Sequence, residues 1–411
     1  MGWGIAQGLR SLKGDAPAER LTLDSQGTLN FKVLSNYKAL KTTLRLSGKI
    51  KVSSTSAVQN ADTAVNINYK DDHFFNMLKG FQFKADNDVI KNLQNNLAFF
   101  RFWLVYVQEG HESLQTIPQS ITIKNGESSG EADFKVDIVI PFLMYDMLNI
   151  WQTCLLTWLY KSIYATFSTA KSASDIIKSV ESTNEGNLSS ENLSVEFVNP
   201  FVESYTDYEI VDNSYLSTNE AGKALTAQEV LIKIGGNFKV ETLTSNFKSQ
   251  GTSQFIKLLP TNIQIFKDLW VIVRDAETGE RVDDCIDKIT LKDGDRSIVD
   301  IDPRAIRNGD IHKYKISPNL WAEKNMAYPD KKGVLHGVYR IDGSNFNNLT
   351  NSKMATYSWN NPMVYFDINE NITKHANGLN FEVVQCYKEV SDSVQKAANA
   401  YSSSASVTQT S

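Results

Sequence analysis

Short segments of alternating apolar and polar residues occur twice along this chain, in the same order, and no other feature constrains the fold as tightly. Residues 44–52 (LRLSGKIKV) match 232–240 (IKIGGNFKV), with Leu44, Leu46, Ile50 and Val52 opposite Ile232, Ile234, Phe238 and Val240. Period-two alternation is that of a strand with one buried face. Gly48 and Gly236 share an inward slot, where glycine points to a bend or to close approach of another backbone. Residues 100–109 (FRFWLVYVQE) match 266–275 (FKDLWVIVRD) as strand-like runs of aromatic and β-branched residues. Residues 121–127 (ITIKNGE) match 289–295 (ITLKDGD). Each contains a turn dipeptide, Asn125-Gly126 or Asp293-Gly294, of residue types that tolerate positive φ. Two weaker pairs follow: residues 199–202 (NPFV) with 361–364 (NPMV), and 207–211 with 380–384. The offsets, 162 to 188 residues, drift only by loop-sized steps, the pattern of a tandem duplication.

At 411 residues the chain exceeds one ordinary core. The repeat divides it into an N-terminal arm (1–35), a first unit (36–215), a polar linker (216–227), a second unit (228–390) and a tail (391–411) with nothing to bury. Short strands punctuated by turns predict an all-β chain of two antiparallel sandwiches. A helical insertion is predicted in the first unit over 147–160, which lacks Gly and Pro and sets Leu148, Trp151, Leu155 and Trp158 on one face. Residues 172–181 predict a second short helix. The corresponding part of the second unit, 304–361, reads as loop, with Pro318 and Pro329.

The net charge of −5 and the absence of a dense Lys/Arg run argue against a chain that coats nucleic acid through phosphate contacts, and no sequence-specific nucleic acid is expected as a partner. The three cysteines, Cys154, Cys285 and Cys386, are far apart and form no CxxC, so buried free thiols are expected rather than a disulfide framework or a zinc site. The five histidines show no HxH or HExxH spacing, and no P-loop, GxGxxG or GxSxG occurs. No catalytic residue, cofactor or metal site is therefore expected, and the chain reads as a non-enzyme. The acidic stretch with Asp283, Asp284, Asp287, Asp293, Asp295, Asp300 and Asp302 lacks the EF-hand ligand spacing and its terminal Glu, and reads as solvated turn charge.

Two successive sandwiches in a chain of this length, carried by the paired segments quoted above, resemble the double-jelly-roll major capsid proteins of the tectivirus, corticovirus and adenovirus lineage. The resemblance covers nearly the whole chain but is architectural, without a signature motif. It implies a virion protein made in the host cytoplasm, forming homotrimers in which six jelly rolls make a pseudo-hexagonal tile. Its implied partners are neighbouring capsomers, penton or minor capsid proteins and, in bacteriophage and other relatives with an inner envelope, an internal lipid membrane.

The first residues show neither a secretory h-region nor a myristoylation pattern, since Ala6 stands where Ser or Thr is needed. On a helical wheel Ile5, Leu9 and Leu12 share one side with Met1, Arg10 and Lys13 lie elsewhere, and Trp3 is a typical interface residue. Such an arm fits a membrane surface, a neighbouring subunit, or a segment that stays disordered. The alternative function is a two-module receptor- or carbohydrate-binding sandwich, as in a virion spike or adhesin.

Overall fold

The computed structural model describes residues 10–13, 19–34, 37–107, 115–142, 155–210, 238–247, 253–259, 264–283, 285–303, 305–306, 334–342 and 361–389. The linker at 216–227, the tail at 391–411, Gly236 and most of 304–361 lie outside them. The first half contains β1 (Arg10–Lys13), β2 (Glu19–Arg20), β3 (Gln26–Phe31), β4 (Tyr37–Ser54), β5 (Thr63–Tyr69), β6 (Leu78–Ala85) and β7 (Asp88–Leu93). After α1 (Phe99–Val107) come β8 (Gln115–Thr116), β9 (Ser120–Ile123), β10 (Ser129–Pro141), β11 (Leu155–Leu156), β12 (Ile163–Thr169), β13 (Ile177–Ser182) and β14 (Leu193–Ile210). The second half contains β15 (Phe238–Phe247), β16 (Ser253–Lys257), β17 (Gln264–Asp275), β18 (Ile286–Asp293), β19 (Arg296–Ile301), β20 (Val338–Asp342), β21 (Pro362–Ile368) and β22 (Leu379–Glu389).

The second half is the simpler. Its strands form two antiparallel sheets, ordered β15-β22-β17-β20 and β16-β21-β18-β19. With the eight strands counted in chain order, the sheets read 1-8-3-6 and 2-7-4-5, which is the jelly-roll order. The first half repeats it. The order β1-β14-β4-β10 is again 1-8-3-6, and β3-β12-β6-β7 is again 2-7-4-5. The remaining strands are additions. Three of them, β13-β5-β9, make a separate small sheet. The chain is a double jelly roll.

Binary patterning explains the long strands. In β4, Leu44, Leu46, Ile50 and Val52 are fully buried while Arg45, Lys49 and Lys51 point away and pair with Asp137, Glu131 and Glu196 on flanking strands. Gly48 occupies the inward slot expected of it. A Cβ there would meet the Pro200 Cα at 2.9 Å and the Phe134 ring at 3.0 Å. The register of β14 against β4 slips between Val198 and Phe201, with Asn199 at φ 47°, so the bulge presses Pro200 onto the glycine. Gly126 and Gly294 turn at φ 85° and 58°, as their dipeptides predict.

Several expectations change. Of the arm expected over 1–35, residues 10–13 form β1, which pairs with β14 (Arg10↔Tyr208), and residues 26–31 form β3, which pairs with β12, supplying the first two strands of the first jelly roll. Sequence missed them because β1 is only four residues long and ends before a Gly-Asp-Ala-Pro stretch. Residues 100–107 belong to the described α-helix, not a strand. Of the helix expected over 147–160, residues 147–154 lie outside the described set. Leu155-Leu156 pair with β4, and 157–159 form a 3₁₀ turn. Residues 173–175 form one capped 3₁₀ turn that runs into β13.

The strand matches are also reassigned. Topology equates β4 with β17, whereas sequence had matched part of β4 to the start of β15, and α1 to β17. The turn at Gly126 leads into a sixth strand, and that at Gly294 joins the fourth and fifth. Asn199-Pro200 lies within an eighth strand, whereas Asn361-Pro362 opens a seventh. Only the weakest match, 207–210 with 380–384, pairs equivalent strands, β14 and β22. The duplication is real in the fold, and most of the local likeness reflects the narrow vocabulary of strands.

Candidate functional site: the junction between the two jelly rolls

The second jelly roll has its own interior, built from Leu269, Val271, Val273, Ile289, Leu291, Val364, Phe366, Phe381 and Val383. The alternate residues of the same strands face the other way. Trp270, Ile272, Val384 and Cys386, with Val240, are fully buried and belong to one apolar cluster with the core of the first jelly roll. Strands β17 and β22 are thus covered on both faces, which is why they read as near-continuous apolar runs.

The cover is α1. Phe99, Phe100, Phe102 and Val105 are fully buried, and the Phe99 ring meets Trp270 edge-on at 5.2 Å. Each such aromatic contributes roughly 1.5–3 kcal/mol on burial. A helix apolar on nearly every side has no exposed stripe to reveal it, so its sequence is indistinguishable from a buried strand. At the edge, β15 pairs in parallel with β7 (Val240↔Lys91, Glu241↔Asn92), joining the two jelly rolls in one eight-stranded sheet, β20-β17-β22-β15-β7-β6-β12-β3.

Inside this apolar junction lies an ionic cluster. Asp72, whose side chain is 0% exposed, faces Arg274 at 2.5 Å, Arg101 at 3.3 Å and Arg281 at 3.5 Å. Asp72 and Arg101 come from the first jelly roll, Arg274 and Arg281 from the second. Arg274 also approaches Glu382 at 3.4 Å. The Arg281 backbone N–H donates to Asp71, and its Nη1 donates to the carbonyls of Val334 and His336 at 2.7 Å each. Burial alone would raise the pKa of Asp72, but Arg281, Arg274 and Arg101 together hold it below the ordinary carboxylate range. Glu382 moves up, because burial outweighs Arg274. Burial and Arg101 lower His73, next to Asp72, to about 3, so its imidazole is neutral. Lys91 is also fully buried and donates to the Phe142 carbonyl at 2.8 Å; burial lowers its pKa well below the usual lysine value. At the rim, Arg340 reaches Asp268 at 2.9 Å and lies over the Trp270 ring.

These groups bind one another rather than lining a cleft. They form a structural lock. No sequence motif announced them: Arg101 sits in FFRFWLV, Glu382 in FEVVQC, and Asp268 and Arg274 flank LWVIV, all charges embedded in apolar runs, whereas Asp72 and Arg281 sit in polar, charged stretches.

The residues singled out by sequence are placed as follows. Trp3, Ile5 and Leu9 lie outside the described residues. Arg10, Leu12 and Lys13 lie on strand β1, so the helical stripe they were read from does not extend through them. Cys285 and Cys386 are buried and outside any disulfide, and Cys154 lies outside the described residues. The acidic stretch is dispersed over separate protein partners. Asp283 accepts from Tyr339, Asp287 from Asn369, Asp293 from the Asn361 N–H, and Asp300 from Thr290 while pairing with Lys288. Among the described residues no three His, Cys, Asp or Glu side chains converge as a metal site would require.

The strand order of the two halves defines the class, a double-jelly-roll protein. No family model and no curated protein matches the sequence. Among solved structures, the chain is similar to the crystal structure of the STIV MCP, at 12% identity and a TM-score of 0.58, covering 93% of this chain and 97% of that one. It is also similar to a chain in the atomic structure of Sulfolobus Turreted Icosahedral Virus (12% identity, TM-score 0.60, 95% and 93% covered). The Faustovirus major capsid protein aligns at 7% identity and a TM-score of 0.51 over 93% and 90%. At such identities the likeness is one of fold.

Proposed function

We propose that this chain is a major capsid protein, resident in the virion shell, whose work is geometric rather than catalytic. The observation that carries this reading is the junction. Two jelly rolls of identical strand order are held side by side by a shared sheet, an aromatic helix and a buried ionic lock, which makes one rigid block with two similar faces. Three such blocks about a three-fold axis present six similar faces, and six similar faces tile a hexagonal lattice. Neighbouring capsomers, and penton or minor proteins where the lattice closes, are the partners of that tile. Residues ahead of β1 then face a neighbouring subunit or an internal lipid layer. The coverage of nearly the full length of structures described as major capsid proteins supports the same reading.

Negative-stain electron microscopy of the purified chain tests it. Class averages should show a six-lobed particle with three-fold symmetry. Featureless single-chain particles under all assembly conditions would overturn it.

A further inference from the structure

The sheet of the second jelly roll that takes no part in the junction, β16-β21-β18-β19, turns one face to its own core through Ile256, Val364, Phe366, Ile289 and Leu291. Its other face carries Phe255, 51% exposed and one of only two large apolar side chains left in the open among the described residues. Strand register sets this outer face in three rows. The middle row is Phe255, Tyr365, Thr290 and Asp300. On one side runs Lys257, Met363, Lys292 and Ser297, and on the other Ser253, Asp367 and Lys288.

The Phe255 and Tyr365 rings stack, with centroids 5.4 Å apart and planes 29° apart. The Lys292 ammonium lies 4.4 Å from the centre of the Tyr365 ring, and the Tyr365 hydroxyl donates to Met363 Sδ at 3.6 Å. A single exposed apolar residue needs no explanation, but a stacked pair fixed from one side and open to solvent is a ready-made flat plate.

We infer that this plate binds a sugar ring of an acidic polysaccharide, of the kind that coats cells. One face of a pyranose ring presents weakly positive C–H bonds, which match the negative face of an aromatic ring. The row of Lys257 and Lys292 contains no acid and offers two ammonium groups to a carboxylate or sulfate on that sugar. On the far side Ser253 and Asp367, both exposed, are partners for its hydroxyl groups. The rows lie about 6.6 Å apart, two residues along a strand, which is the span of one substituted pyranose. Asp300 in the middle row is already taken by Lys288 at 3.0 Å and Thr290 at 2.8 Å, so it does not neutralise the lysine side. Single-stranded nucleic acid also stacks on rings beside lysines, but its chain of phosphates would have to cross the side that carries Asp367. The site stands on this sheet face alone; its use, holding a particle to a cell coat, rests on the shell reading above.

The test titrates the full chain with oligosaccharides of polygalacturonate and of a sulfated galactan. Dextran oligosaccharides serve as the neutral probe and oligodeoxythymidylate as the nucleic-acid probe. Calorimetry reads the parent chain, and Phe255→Trp keeps the plate while adding a fluorescent reporter. Saturable, salt-sensitive binding of an acidic oligosaccharide is expected in both, weakened at least about tenfold by Phe255→Ala and by Lys257→Glu with Lys292→Glu. Phe255 is half exposed, so Phe255→Ala should leave the urea midpoint in place, which separates lost binding from lost fold. No binding of either acidic probe, or binding that Phe255→Ala leaves unchanged, overturns the inference. So does dextran bound as tightly as the acidic probes, or oligodeoxythymidylate bound more tightly. A Phe255→Ala chain that loses self-association while keeping its polysaccharide binding assigns the plate to contact between copies instead, and also overturns it. Because the titration reads a single chain and a larger particle alike, a failed shell reading leaves its outcome intact, and the two can fail separately.

Discussion

The lock at the junction makes a sharp prediction for Asp72→Asn. The carboxylate is fully buried and lies within 3.5 Å of the guanidinium groups of Arg274, Arg101 and Arg281. Asn keeps the size and, like Asp, tolerates the left-handed backbone found there (φ 60°), so the change removes charge without adding backbone strain. Three guanidinium groups then remain in an apolar junction, with Asp71 and Glu382 as acidic neighbours among the described residues. Deleting one member of a buried ion cluster costs about 3–5 kcal/mol, because the partners stay buried and uncompensated. At about 1.4 kcal/mol per factor of ten, the unfolded fraction rises by roughly two to four orders of magnitude. Because the cluster spans the two jelly rolls, the loss falls on their coupling. Urea unfolding followed by tryptophan fluorescence should shift the midpoint down and split one transition into two, Trp270 reporting the junction. Adding Arg101→Met to Asp72→Asn should recover part of the loss, giving a non-zero interaction energy in the double-mutant cycle. The exposed pair Lys51–Glu196 supplies the control, and Glu196→Gln should leave the midpoint unmoved. If Asp72→Asn shifts stability no more than that control, the lock does not hold the junction.

Further predictions concern other parts of the same scaffold. Trp270→Ala removes the largest fully buried side chain at the junction and should cost about 3–5 kcal/mol in chemical denaturation, with the two jelly rolls again unfolding separately. Gly48→Val sets a branched side chain against Pro200 and the Phe134 ring and should cost at least about 1–3 kcal/mol, measurable as a lower melting temperature; an unchanged melting temperature would show that the bulge yields freely. His73 is neutral in the fold at about 3 and ordinary, near 6.5, when unfolded. Above pH 6.5 neither state holds the proton and stability is unaffected by this group. Below it the unfolded state alone binds the proton, so stability should fall by up to about 1.4 kcal/mol per pH unit until the folded pKa is reached. Urea midpoints between pH 7 and 5 should therefore decline less steeply in His73→Phe than in the parent chain; equal slopes would refute the assignment.

Part of this was legible in the sequence. The alternation of Leu44, Leu46, Ile50 and Val52 marked a half-buried strand, the Asn-Gly and Asp-Gly dipeptides marked turns, and Gly48 marked a close approach; all three are where the patterns put them. Duplication was also legible, but not through the segments that suggested it, because strands with the same in-and-out period look alike whichever place they hold in a sheet. The helix α1 was hidden for the opposite reason. Buried on nearly every side, it has no exposed polar stripe, and its contacts with Trp270 and, through Arg101, with Asp72 are long-range ones that the sequence does not show. The first strand was hidden by its length, four residues whose pairing partner, β14, lies nearly 200 residues away. The ionic lock could not be assembled from sequence because its members come from five separate elements and loops. A charge inside an apolar run, as at Arg101, Arg274 and Glu382, says that it is paired but not with what, and Asp72 and Arg281 lack even that signal.

The most direct test of the central claim is the mass of the purified chain in solution by light scattering, at low and moderate salt. A stable species at three times 46.1 kDa, or larger regular assemblies of it, is the predicted result. A 46.1 kDa monomer at every concentration would contradict the account, since a shell tile that does not associate builds nothing.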